Sequence, residues 1–148
     1  MSNEPASPQQ DALRAAFSAA EYRVCIGGHE LVLKVGMHHP ELDRAIEDRD
    51  WAIVTAFNPQ GRRVGDADNR HADAALRAEV AERGLLAYPS TNRDPSGRWP
   101  DEPGLLIAGA GPDEMASLGR RHGQAALLVG RSGQPAMLCF LGAAGGVN

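Results

Sequence analysis

WAIVTAFNPQGRR, residues 51–63, opens with four apolar residues in a row, Trp51, Ala52, Ile53 and Val54, and then breaks at Asn58-Pro59 with two arginines behind. An unbroken apolar run of this length meets hydrocarbon on both faces, so the segment reads as a strand in the interior of a sheet. Asparagine before proline is a common turn opening. Thr55 and Asn58 thus place polar groups where a buried strand leaves the core, the setting of a pocket rim.

Upstream, YRVCI and ELVLKV flank Gly27-Gly28 and read as a hairpin. HHPELDRAIEDRD carries Pro40 at a helix-opening position, with Leu42, Ala45 and Ile46 on one face, and predicts a short helix leading into the 51–57 strand. DALRAAFSAAEYR predicts another helix from about residue 11.

Downstream, GDADNRHADAALRAEVAERG is the longest helix signal, with Asp66 as its cap, Gly84 as its stop and Ala72, Leu76 and Val80 on its apolar face. Three residues before Ala72 stands Asn69, a polar amide on the inward edge of the first turn. LLAYP reads as a strand stopped by Pro89, STNRDPSGRWPDEP as a long polar loop with three prolines, and GLLIAG as the next strand. GPDEMASLGRRHG has the proline, acidic first turn and terminal glycine of a helix, and QAALLVG and AMLCFL close the chain as a strand pair.

This order, with two hairpin signals and no internal repeat, predicts an α+β fold: one domain, a mostly antiparallel mixed sheet, and helices packed mainly on one face. The domain is expected over 11–141, between a disordered tail at 1–10 and a flexible, glycine-rich tail at 142–148.

The bulk composition agrees with one folded domain: 148 residues, 43% hydrophobic and 23% charged. A net charge of -4 with scattered arginines argues against general nucleic-acid binding and leaves room for a local anion site. No apolar run approaches the roughly 20 residues of a membrane span, and the N-terminus lacks the basic start and apolar stretch of a signal peptide, so a cytoplasmic location is expected. Cys25 and Cys139 both lie in apolar runs and are expected to behave as small hydrophobes, a disulfide being the less favoured reading.

The chemistry-bearing residues converge on one region. Thr55, Asn58 and Asn69 meet where the central strand ends and a helix begins; such groups either satisfy one another or bind a ligand's polar edge. Arg62 lies, with Arg63, just before the helix N-terminus, where backbone N–H groups favour an anion. Trp99 is an anchor or a stacking platform in the polar loop. Glu102, at a strand entrance, is the best placed carboxylate for proton transfer, beside the bland reading of a strand-edge charge. His122 reads as structural, on the apolar face of the last helix. His38 and His39 begin a helix. No residue set has zinc-ligand spacing, and no cofactor motif is present, GAGPDE lacking the lysine of a P-loop and the third glycine of a dinucleotide fingerprint.

YRV, WAIVTAFNPQGRR, Asn69, RWPDEPGLLIAG and RRHGQAALLVG taken together resemble the bacterial domain-of-unknown-function family numbered 3293, over about residues 21–141. Its Thr-Ala-x-Asn-Pro, Trp-x-x-Glu-Pro and Gly-Gln signatures fall on Thr55, Asn58, Pro59, Arg62, Asn69, Trp99, Glu102 and Gln124. The resemblance implies a small bacterial protein and no particular activity. It also implies serine at the positions of Gly61 and Gly104, and asparagine at that of Ala125, where this chain departs from the pattern. The functional expectation is a pocket framed by 55–69 and 91–102, in which Asn58, Asn69 and Gln124 offer amides, Arg62 charge, Trp99 a lid or stacking surface and Glu102 a proton. A small polar or anionic metabolite fits it, a nucleotide among the candidates. The alternative is a non-catalytic protein–protein interaction module that uses an exposed sheet edge such as AMLCFL.

Overall fold

The structure is a computed structural model and describes residues 8–142; the outer parts of both expected tails, 1–7 and 143–148, lie outside it. The elements run α1 (Pro8–Ala19), β1 (Glu21–Ile26), β2 (His29–Leu33), α2 (Pro40–Ala45), β3 (Trp51–Thr55), a 3-10 turn (Pro59–Gly61), α3 (Asp66–Glu82), β4 (Leu86–Arg93), β5 (Glu102–Ala108), α4 (Pro112–Arg121), β6 (Ala126–Gly130) and β7 (Met137–Phe140). The seven strands form one sheet in the order β2-β1-β4-β5-β3-β6-β7, and each pairing is antiparallel, which makes the fold α+β. No helix among the described residues is long and apolar enough to cross a membrane.

β3 lies between β5 and β6 and is buried at all five positions, as its apolar run requires. Its even residues Ala52 and Val54 join Leu105, Ile107 and Leu127 beneath α3 and α4, which contribute Leu76, Val80, Met115 and Leu118. Its odd residues Trp51 and Ile53 face the other way, with Leu106 and Leu128, against Leu42 and Ile46 from α2 and the segment that follows it. α3 and α4 therefore share one side, while α2 and, through Phe17, α1 cover parts of the other.

Glycine sets the β1–β2 turn: Gly27 and Gly28 have φ of 57° and 82°, the doubly left-handed pair that a two-residue hairpin needs. Several local expectations are corrected. α1 begins at Pro8, three residues before Asp11. Gly65, not Asp66, is the N-cap of α3, and Asp66 enters its first turn. Cys25 is exposed, because alternation in β1 turns it away from Val24 and the core.

Pro89, expected to stop a strand, does not. β4 runs through it to Arg93, so the 91–102 segment is two strand ends around a turn at 94–101. Pairing with β1 begins only at Ser90, so at Pro89 the strand has β5 alone as a ladder neighbour. A sheet tolerates a missing N–H at such a half-edge.

Candidate functional site

Thr55 ends β3 by folding its hydroxyl back on the backbone. Its Oγ1 donates to the Pro103 carbonyl at 2.7 Å and accepts from the Phe57 N–H at 3.1 Å. Asn58 then takes a left-handed conformation (φ 48°, ψ 65°), which asparagine tolerates better than other residues with a Cβ. Gln60 is left-handed as well, at φ 56°.

The tight path wraps the loop around one amide. Asn58 Oδ1 accepts from the Val64 N–H and from Asn69 Nδ2, both at 3.0 Å. Asn58 Nδ2 donates to Glu102 Oε2 at 2.6 Å, and the Asn58 backbone N–H donates to Asn69 Oδ1 at 2.8 Å. Asn58, Asn69 and Glu102 are all buried. Three elements, the end of β3, the first turn of α3 and the start of β5, are thereby pinned by side chains from residues far apart in sequence.

Trp99 completes the cluster by donating its indole Nε1–H to the same Glu102 Oε2 at 2.6 Å. The 94–101 turn is built on Asp94, which accepts from the Ser96 N–H and hydroxyl and from the Trp99 N–H. The Arg63 guanidinium carbon stands 5.6 Å from the centre of the Trp99 ring, within cation–π range. Arg62 is exposed. Acidic Asp66 and Asp68 occupy the first turn of α3 and already answer its positive end, which removes part of the expected anion field.

Burial pushes the Glu102 carboxyl above the ordinary glutamate value of 4.5, and hydrogen bonds from Asn58 and Trp99 pull against that without reversing it. A carboxyl that is harder to ionise in the folded state stabilises the fold below the ordinary value and loses that contribution as pH rises through the folded one. Urea titrations at a series of pH values are therefore expected to show stability falling above about pH 4.5, with a smaller fall in Glu102→Gln. A variant that keeps the wild-type slope would assign the pH dependence to other groups.

Gln124 is buried but stands apart from this cluster. Its Nε2 contacts the Phe57 carbonyl at 3.4 Å and the His122 carbonyl at 3.3 Å. His122 meets Glu79 of α3 at 2.9 Å, the structural role expected of it. Glu79 also receives Arg121 and Arg83, and the Arg121 hydrogen bond leads the causes that hold its carboxyl down at about 2.

Gly61 and Gly104 have steric reasons to be glycine here. A Cβ on Gly104 would run into the Val54 carbonyl oxygen across the ladder, and Gly61 has φ 71° with Leu13 pressed against it. Neither backbone position has ready room for a serine.

One group was not foreseen. Asn92 sits across the ladder from Glu102 and next to Tyr22. Asn92 and Tyr22, together with Phe17, Thr55, Gln124 and Leu138, line a cavity of about 20 Å³. The Asn92 Oδ1 atom is buried with no hydrogen-bond partner among the described residues. The only sequence signal was a polar residue directly after Ser90 and Thr91, in a segment that looked like loop.

A protein-family model described as "Protein of unknown function (DUF3293)" matches residues 54–127. No curated protein and no solved structure matches the chain.

Proposed function

Because the chain belongs to DUF3293, a family described only as of unknown function, we propose its role from the site: a cytoplasmic bacterial protein that binds a small anionic metabolite, a nucleotide being one candidate, at the rim between the 58–65 loop and the 94–101 turn. Arg62 and Arg63 supply charge, Trp99 supplies a stacking face and covers Glu102, and Glu102 is the group for proton transfer. Asn58 and Asn69 spend their hydrogen bonds on each other, Val64 and Glu102, so their part is to hold the loop and the carboxyl in position. Thr55 and Gln124 brace the start of the loop in the same way.

The observation that supports this reading is the buried carboxyl of Glu102, held above its ordinary value by burial, under an indole whose face carries an arginine. Perturbed carboxyls and strained backbone both cluster at functional sites. The test is a thermal-shift screen with nucleotides, sugar phosphates and amino-acid derivatives on the wild type and on the exposed pair Arg62→Ala/Arg63→Ala. Ligand at 100 times its Kd adds about 2.7 kcal/mol to the folded state by mass action, and the double variant is expected to lose most of that shift while keeping its unliganded melting temperature. An equal shift in both proteins would place the ligand elsewhere.

A second reading, the interaction module, is favoured by edge strand β7, where Met137 is 63% and Phe140 36% exposed. Its partner would add to that edge. The edge is blunted before Met137 by backbone bonds between Ala136 and the Gly36–Met37 segment. Under this reading the solution mass rises with concentration and Met137→Lys abolishes the rise.

A further inference from the structure

α1 is attached to the domain by few groups. None of its described side chains is buried, and only Leu13 and Phe17 are half-buried. Leu13 rests on Gly61. The Phe17 ring lies 6.2 Å from that of Phe140, and the Arg14 guanidinium carbon stands 4.1 Å above the Phe140 ring. The Tyr22 hydroxyl donates to the Phe17 carbonyl at 2.8 Å, fixing the last turn of the helix.

Beneath Phe17 is the cavity that Tyr22, Thr55, Asn92, Gln124 and Leu138 complete. A buried carbonyl oxygen without a donor is costly, and the Asn92 Oδ1 is such an atom in the wall of an existing void. At about 20 Å³ the void holds little more than one water while α1 is in place. If Phe17 is lifted away, the space its ring leaves joins the void, bordered on the apolar side by Ile53, Leu128 and Leu138.

We propose that α1 is a strap over an internal binding compartment on this face of the sheet, and that the compartment takes a small flat apolar molecule with a single N–H or O–H donor for the Asn92 carbonyl. The few contacts of α1 make it the element that opens without global unfolding, since local opening follows low contact density. The proposal does not rest on the anion site at the rim: it uses neither Arg62, Arg63 nor Trp99.

The test uses full-length protein, peptide-resolved hydrogen exchange, and two probes of one shape. Indole carries an N–H, and benzofuran has oxygen in its place. In the wild type, α1 amides are expected to exchange at least about tenfold faster than those of α3. Indole, but not benzofuran, is expected to speed α1 exchange further by holding the strap off. In Phe17→Ala, with α3 protection retained, indole is expected to bind at least about tenfold more tightly, because the cost of opening has been removed. Asn92→Leu is expected to erase the difference between the two probes. Exchange of α1 and α3 in one common transition overturns the strap, and equal effects of indole and benzofuran overturn the role of Asn92. Should Phe17→Ala fail to fold, the wild-type comparison still decides both points.

Discussion

Asn58→Ala is expected to cost the fold about 2–4 kcal/mol, since a buried partner stranded without its hydrogen bond costs about 1–3 kcal/mol and a left-handed alanine costs about 1 kcal/mol more. The substitution frees the N–H of the exposed Val64, leaves the buried Asn69 Nδ2 with only its longer contact to the Val64 carbonyl, and removes one of the two donors on the buried Glu102 Oε2. Urea unfolding, with the slope checked against wild type, measures it. Asn69→Ala is expected to fall in the same range, and the pair together well short of the sum, because the two amides share one network. A loss under about 1 kcal/mol for Asn58→Ala would mean that water replaces these bonds at little cost, and the positioning role assigned to Asn58 would be withdrawn.

Gly130→Ala, at the end of β6, is expected to destabilise by about 3 kcal/mol, the upper end of what overpacking costs. Gly130 pairs with Trp51 across the ladder, and a Cβ there would enter the space of the indole atoms Cε2, Nε1 and Cζ2. Trp51 is 5% exposed and packed among Ile53, Leu106, Leu128 and Ala136, so the ring has nowhere to move. Gly130→Ala combined with Trp51→Phe is expected to be less damaging than the sum of the two, since removing the larger ring makes room for the methyl. Strict additivity in the double-mutant cycle would show that the cost at Gly130 is backbone conformation and not the indole.

Much of this architecture was legible because the signals were local. Four apolar residues fixed the buried position of β3, Gly27-Gly28 fixed a hairpin, and the step from Ala72 back to Asn69 brought that amide to Asn58. What was illegible depended on neighbours that sequence does not display. Proline at 89 ends a strand only if the neighbour on its N–H side is paired there, and the ladder with β1 ends at Val24–Ser90. Asn92 looked like loop until β4 proved to extend past it, and its significance comes from Phe17 and Thr55, which are remote in the chain. The side of the sheet that α2 covers could not be read either, since an apolar helical face fits either surface. Of the candidate site, the meeting of Asn58 with Asn69 was readable, whereas Gln124 stands apart and the closure of the amides on one another is a matter of distances.

The placement of β3 bears on how the chain reaches this fold. β1 with β2, β4 with β5, and β6 with β7 are neighbours in sequence, so each pair closes a short loop and zips quickly. β3 has no such neighbour: it must be inserted between β5 and β6, pairing Trp51 with Ala108 on one side and Gly130 on the other. Until it arrives, two hydrophobic strand edges stand open to any other chain. Refolding yield is therefore expected to fall with protein concentration, and substitutions in β3 to slow folding more than equally destabilising ones in the three hairpins.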